Sequence, residues 1–458
     1  MKTLRLLRVY FVIIAAALVV PSSFAAQEEA RAAWQVTRYD LTADVASATS
    51  ADRALMCRAV ISARNVGGGA GGTFTVRLNQ KAEIKSASVG EASVRYVSRE
   101  DSRTKLQQIT LTLATPIAPG GAVNVALDYR LPVTENSGLA ALSGEGAQFL
   151  PLSSWYPTPN TSLSTRGADY APVRLTVKNL GAGETVISTG QATAAGTFEQ
   201  TLYAQPFFVT GKWDAIEGTG DARGVSAFLN AGAGADERAR AEALIALAGA
   251  ARTFYAGLLG PAPETPIRLV GVRRGAGFDM DGTLLLDHAV FRRTKTDAMT
   301  ATQIAETIAR LWVGGGTNIQ GEGAGVVREG LPRFLATLFI EKQFGKDAAD
   351  AERMRMAFLY APIARRDLPL SQTTPALDIY YNAVVNKGAL AWRLLANAVG
   401  RDYFVNVLRK EFAAGRTSAT SLAAIRAGLG ERGGESLRSL LVGLFDQPTD
   451  TDFLVGLP

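Results

Sequence analysis

Glu306 and Glu329 are the residues whose type and setting point most directly to chemistry. They lie in Thr300–Leu335, TATQIAETIARLWVGGGTNIQGEGAGVVREGLPRFL, which reads as a helix, a glycine-rich turn and a second helix. Ile304, Ile308, Leu311 and Trp312 fall at i, i+4, i+7 and i+8, one apolar stripe at helical period. Thr300 with Gln303 reads as a capping box, and Gly314–Gly316 ends the helix. Glu306 sits on that helix and Glu329 opens the next. Two such carboxylates can serve acid–base catalysis without a metal. With Asp279 and Asp281 they can instead surround a hard cation such as calcium or magnesium. With no ion between them, at least one member has a raised pKa, or a cation such as Arg310 or Arg328 separates them.

The residue census limits the alternatives. His288 is the single histidine of 458 residues, so no two-histidine metal site can be built within the chain. The single cysteine, Cys57, excludes an intramolecular disulfide and a cysteine zinc cluster. It lies in the strand-like run Leu55–Ile61 and reads as a small buried side chain. His288 follows Asp287, but no G-x-S-x-G elbow accompanies them, so His288 reads as a strand or loop histidine bonded to its neighbours.

The Thr300–Leu335 segment resembles the zinc-site segment of the aminopeptidase-N-like gluzincin metallopeptidases. Their first helix reads H-E-x-x-H-Q-W-W-G, and the next carries the third ligand in N-E-G. The resemblance implies a helix with imidazoles at i and i+4 holding zinc, and a glutamate between them as general base. Here Ala305 and Ala309 stand at the histidine positions. Glu306 matches the base, and Glu329, in Arg328-Glu329-Gly330, matches the third ligand. One residue more than in the family separates Ala309 from Glu329, and it is placed at Val313–Gly314 because Trp312 still matches. A methyl group donates no lone pair, so the family's zinc has lost its ligands and no cofactor is expected.

Two further segments carry the resemblance. Gly275–Gly282 lies where the family has G-A-M-E-N, a strand edge that captures a peptide's amino terminus. On that basis Asp279, Met280 and Asp281 are the candidate substrate-binding residues. Read by themselves they form a glycine-rich hairpin with two solvated aspartates. Tyr380–Leu390 resembles the family's Y-x-K-G-A segment, whose tyrosine steadies an oxyanion. Lys387-Gly388-Ala389 is present, but Val385 stands at the tyrosine position, and Tyr380 reads as a packing residue.

The elements that must position these residues follow in order. Met1–Ala25 reads as a secretory signal: Lys2, Arg5 and Arg8, an apolar run over Val9–Val20, then Ser23-Phe24-Ala25. Removing it takes the formal charge from +6 to +3, which gives no support to a nucleic-acid role. No later run is long and apolar enough to suggest a membrane span. Residues 26–217 alternate at period two, as in Tyr39–Val45, Thr73–Leu78, Ile109–Leu113 and Val123–Tyr129, punctuated by Gly67–Gly72 and Pro119-Gly120-Gly121. Trp155-Tyr156-Pro157 near the end of this run also matches the family, although both aromatics read as core. Residues 218–400 change to helical spacing around a strand at Pro266–Gly271 and another at Thr283–Asp287. Helices over 401–458 complete that unit.

The expected fold is α+β: an antiparallel β-sandwich or saddle, then a thermolysin-like α/β peptidase domain with a helical C-terminal part. The expected function is that of an exported, periplasmic or secreted peptidase homologue without catalysis, acting on a peptide or protein partner by binding. The alternatives are a hydrolase with a non-standard carboxylate site and a purely structural envelope protein.

Overall fold

Period-two alternation between Trp34 and Gly211 builds three sheets around one core. The computed structural model describes residues 31–448 apart from 103, 160–166, 376 and 432, so the expected signal Met1–Ala25 lies outside the described residues. The largest sheet has eight strands, in the order Gln191–Ala194, Thr197–Ala204, Ala171–Lys178, Trp34–Asp44, Ala54–Asn65, Ala122–Pro132, Glu83–Val89 and Ala92–Ser93. All but one of its pairings are antiparallel; Trp34–Asp44 runs parallel to Ala171–Lys178. A register shift between Val36 and Arg38 resets the pleat so that Tyr39, Leu41 and Ala43 face inward together. Two four-stranded sheets, one centred on Gly71–Asn79 and Leu106–Ile117, the other on Phe208–Gly211 and Gly146–Phe149, close over it. Trp155 and Tyr156 lie fully inside this core, with Trp155 edge-on to Phe208 at 5.3 Å. They are packing residues, as their sequence setting indicates. Cys57 is buried on the second strand, and burial pushes its thiol up to about 12, so it is inert at neutral pH.

A fourth, five-stranded sheet begins earlier than the change of periodicity at 218 suggests. Trp213–Glu217 already pairs with Val225–Asn230, and the order continues through Ile267–Val272 and Thr283–Asp287 to the edge strand Asp279–Met280. The three inner strands are parallel, and the two outer ones antiparallel. Both faces are covered, so these strands read as unbroken apolar runs rather than alternating ones. Leu284 and Leu286 pack into the helical core, while Val270, Met280 and Leu285 belong to the β-domain core. The sheet is therefore a wall shared by the two parts of the chain.

Helices cover its other face: α1 (Ala235–Leu259), α2 (Ala298–Ala309), α3 (Leu331–Phe344), α4 (Lys346–Tyr360), α5 (Gly388–Val399), α6 (Arg401–Ala414), α7 (Leu422–Gly430) and α8 (Glu435–Phe445). Helix α2 starts before the expected cap. Asp297 is its N-cap, accepting a 2.7 Å hydrogen bond from the Thr300 amide, and Thr300 lies inside the first turn. A carboxylate there also meets the positive end of the helix. Asp297→Ala is expected to cost about 1 kcal/mol, read as a lower denaturation midpoint.

Candidate functional site

Helix α2 puts Glu306 and Arg310 on one face, a helical turn apart, and buries Ala305 and Ala309 completely. The chain leaves α2 through a kink at Val313 and Gly314, where Gly314 takes φ +92. A side chain on Gly315 would lie 2.7 Å from Asp281 Oδ1, so the approach to the edge strand depends on its absence. Glu329 stands in a wide π-helical turn, Val326–Gly330, that leads into α3. Such a turn takes one residue more than an α-turn. It is thus a second place, besides the Val313–Gly314 kink, that accommodates the added residue. The glycines of the two motifs pack on each other. A Cβ on Gly330 would lie 2.5 Å from the Val384 carbonyl oxygen and 3.1 Å from Gly388.

The structure brings Glu306, Glu329 and Asp279 together around one guanidinium. Arg310 Nη2 donates to Glu306 Oε1 at 2.7 Å and Nη1 to the Arg328 carbonyl at 2.8 Å. Nη1 also lies 2.8 Å from Glu329 Oε2, and Nε 2.8 Å from Asp279 Oδ2, the latter an ion pair without hydrogen-bond alignment. The far oxygen of Glu306 is 2.9 Å from Arg333 Nε. Between a lone carboxylate pair and a pair parted by a cation, the arrangement is the second, and the cation is Arg310. Its three carboxylates hold it above the ordinary guanidinium range despite burial. Side-chain exposure is 12% for Arg310, 18% for Asp279 and Glu329, and 6% for Glu306, so the cluster is largely buried. Arg333 was not among the sequence candidates, because its partner Glu306 lies far back in the sequence on another helix and no local spacing joins them.

The two aspartates of the Gly275–Gly282 hairpin are not solvated. Asp279 is held by Arg310, and Asp281 is buried at 4% exposure with φ +34 and one oxygen without a hydrogen-bond partner. Burial drives Asp281 up to about 8, opposed by Arg328 and then Arg310. Because the folded value lies above the unfolded one, Asp281 favours folding at low pH and opposes it progressively as pH rises from about 4 to 8. Asp281→Asn is permanently neutral and tolerates the left-handed backbone. It is expected to raise stability by about 1–3 kcal/mol at pH 7 and to flatten the pH dependence across that window, measured by denaturation at several pH values.

The remaining candidates separate from this cluster. The Met280 side chain is buried in the β-domain core and its backbone pairs with Thr283, so the side chain takes no part in the cluster. Val385 is buried on the π-helical segment Asn382–Lys387 and offers no donor. Tyr380 packs with its hydroxyl where a Cβ on Gly325 would sit 2.6 Å away. Lys387 is fully buried against Asp367, which also accepts 2.6 Å from the Tyr360 hydroxyl, so the lysine pins the helical core. His288 opens a short 3-10 turn with Nδ1 3.5 Å from Asp287 Oδ1 and no hydrogen bond. The expected bonding to its neighbours is therefore not made at this nitrogen. A cavity of about 400 Å³ between Val399, Tyr403, Leu429, Leu437 and Leu440 lies elsewhere and carries no carboxylate or histidine.

The residues present do not fit zinc. Ala305 and Ala309 supply no donor, and Glu306 and Glu329 are engaged by Arg310. Among the described residues no group of three or more His, Cys, Asp or Glu side chains is placed to hold a metal ion. A carboxylate-only cation site would have to displace the guanidinium from between Asp279, Glu306 and Glu329.

No protein-family model matches the sequence, and no curated protein matches it. Solved structures do. An M1 zinc metallopeptidase from Deinococcus radiodurans superposes with a TM-score of 0.64 at 17% identity, over 90% of this chain and 93% of that one. A mutant of a Deinococcus radiodurans M1 zinc metallopeptidase bound to a Tyr-Ser-Ala substrate gives the same score and identity, over 90% and 94%. Yeast LTA4 hydrolase in complex with bestatin reaches 0.71 at 10% identity, over 92% of this chain and 70% of that one. At such identities the likeness lies in the architecture, and the chain has the fold of the M1 zinc metallopeptidases.

Proposed function

We propose that this chain is an exported M1-type peptidase homologue that has lost hydrolysis and works by binding a peptide or a protein partner. The observation that carries the reading is the replacement of an ion by Arg310. Its guanidinium lies within 2.8 Å of three carboxylates, and the same helix carries two fully buried methyl groups, Ala305 and Ala309, at the positions where the family has imidazoles. Export rests on the basic start, apolar run and small-x-small site of Met1–Ala25. Both oxygens of Glu306 also face guanidinium groups, whose positive charge opposes the uptake of a proton that a general base must make. The alternative hydrolase with a carboxylate site gains nothing from this arrangement.

The test is paired. Protein refolded with zinc and washed is expected to hold no stoichiometric metal, and a broad panel of aminoacyl and peptide reporters is expected to show no turnover. Tightly held zinc, or hydrolysis that disappears in Glu306→Gln, would overturn the reading.

A further inference from the structure

The strand Tyr96–Glu100 ends one of the four-stranded sheets, in the order Thr158–Pro159, Gly71–Asn79, Leu106–Ile117, Tyr96–Glu100, and every residue of it is exposed. Its one neighbour in the sheet is the antiparallel strand Leu106–Ile117. The Thr112 amide donates to the Arg95 carbonyl at 3.4 Å, and the Asp101 amide donates to the Leu106 carbonyl at 2.9 Å. In an antiparallel pair the backbone groups bonded to the neighbour fall on every second residue. Arg95, Val97, Arg99 and Asp101 therefore bond inward. Tyr96, Ser98 and Glu100 direct their N–H and C=O groups outward, where no further strand of the sheet follows.

We infer that this edge pairs antiparallel with the same strand of a second copy of the chain, about a two-fold axis at Ser98. Charges along an edge ordinarily guard it against pairing, and Arg95, Arg99 and Glu100 lie here. In this strand they exclude registers rather than pairing as such. Outward-bonding residues must meet their like, and three registers engage two or more of them, symmetric about Val97, Ser98 or Arg99. Symmetry about Val97 sets Arg95 opposite Arg99, and symmetry about Arg99 sets two Arg99 side chains opposite each other. Symmetry about Ser98 opposes no like charges. Arg95 faces Asp101 of the second copy, Val97 faces the stem of Arg99, Tyr96 faces Glu100 and Ser98 faces Ser98. It also engages all three outward residues, each facing pair exchanging two backbone hydrogen bonds. Val97, 68% exposed in the single chain, is covered by this pairing. So short a strand buries much less than a standard interface, and the dimer is accordingly weak and concentration-dependent.

Cysteine cross-linking reads the register, since Cys57 is buried and inert. Under mild oxidation at high micromolar concentration, Ser98→Cys is expected to form a disulfide-linked dimer by itself. An equal mixture of Val97→Cys and Arg99→Cys is expected to do so as well. Either of those two alone should link several-fold less, because each meets its own kind only across the diagonal, beyond the ~7 Å reach of a disulfide. In parallel, the unmodified protein is followed by sedimentation from micromolar to millimolar concentration, with the mass expected to rise from one chain towards two. Ser98→Pro removes an outward N–H and no bond to Leu106–Ile117, and should abolish the rise. Arg95→Glu sets like charge against Asp101 and should weaken the dimer roughly tenfold. Self-linking of Val97→Cys or Arg99→Cys equal to that of Ser98→Cys would overturn the inference. So would a monomer throughout the concentration range, or association unchanged in Ser98→Pro and Arg95→Glu.

Discussion

Replacing Arg310 by alanine is expected to lower stability by about 3–5 kcal/mol at neutral pH, because it removes the cation and leaves its three partners in place. The magnitude follows from burial. Among the described residues, Glu306, 6% exposed, keeps only Arg333, while Asp279 and Glu329 are left facing it with no counter-charge within ion-pair distance. An exposed ion pair would contribute a small fraction of this. The sign with pH is distinctive. Burial holds Asp279 up at about 6 even with Arg310 opposing it, so without the guanidinium the variant is expected to be penalised at neutral pH, with a penalty that shrinks as pH falls towards 4. Denaturation followed by tryptophan fluorescence reports on the region, since Trp312 lies one turn beyond α2 with its indole donating to the Gly260 carbonyl at 3.0 Å. Adding Glu306→Gln to Arg310→Ala should cost less than the two single changes summed, because the second change removes one of the unpaired charges. A deficit below about 1 kcal/mol, equal at pH 5 and pH 7, would show that the cluster is solvated and that the guanidinium does not hold it together.

Much of this arrangement was legible in the sequence, and the reasons for the rest are physical. The long elements announce themselves through periodicity: α1 runs from Ala235 to Leu259 and the strand from Thr283 to Asp287, as the pattern requires. The start of α2 was misplaced because Thr300 and Asp297 are both capping residues, and the choice between them depends on which side chain reaches an amide. Arg310 could be named as a candidate cation because its spacing from Glu306 is local. Its hold on Asp279 could not be read, because that contact depends on how the edge strand packs against α2. The same limit explains Asp281. A glycine-rich hairpin with two aspartates reads as exposed, and only the kink at Val313 and Gly314 that brings Gly315 against it makes it buried. Local patterns thus identify the parts, while the charge balance of the site is a property of elements distant in sequence.

That balance sets the second large effect, a failure to be expected from an obvious repair. Introducing imidazoles by Ala305→His and Ala309→His should not by itself create a zinc site. The two histidines would share a face with Glu306, and Glu329 would stand ready as third ligand, which is the geometry of an open zinc site. The obstacle is Arg310, whose charge already sits on Glu306 and Glu329 and would repel a divalent ion brought between them. Both alanines are also fully buried, so imidazoles there overpack the core by about 1–3 kcal/mol each unless neighbours move. Adding Arg310→Gln to the histidine pair removes the competing cation and opens space along the same face. The triple variant is therefore expected to bind zinc on the order of 100-fold or more tightly than the double variant, a difference of about 2.7 kcal/mol, measured by competition with a chromogenic chelator. Equal affinity in the two would mean that the arginine had swung away once imidazoles were present, and that it does not keep zinc out. The order of effects is what distinguishes a site that merely lost its ligands from one whose place a side chain has taken.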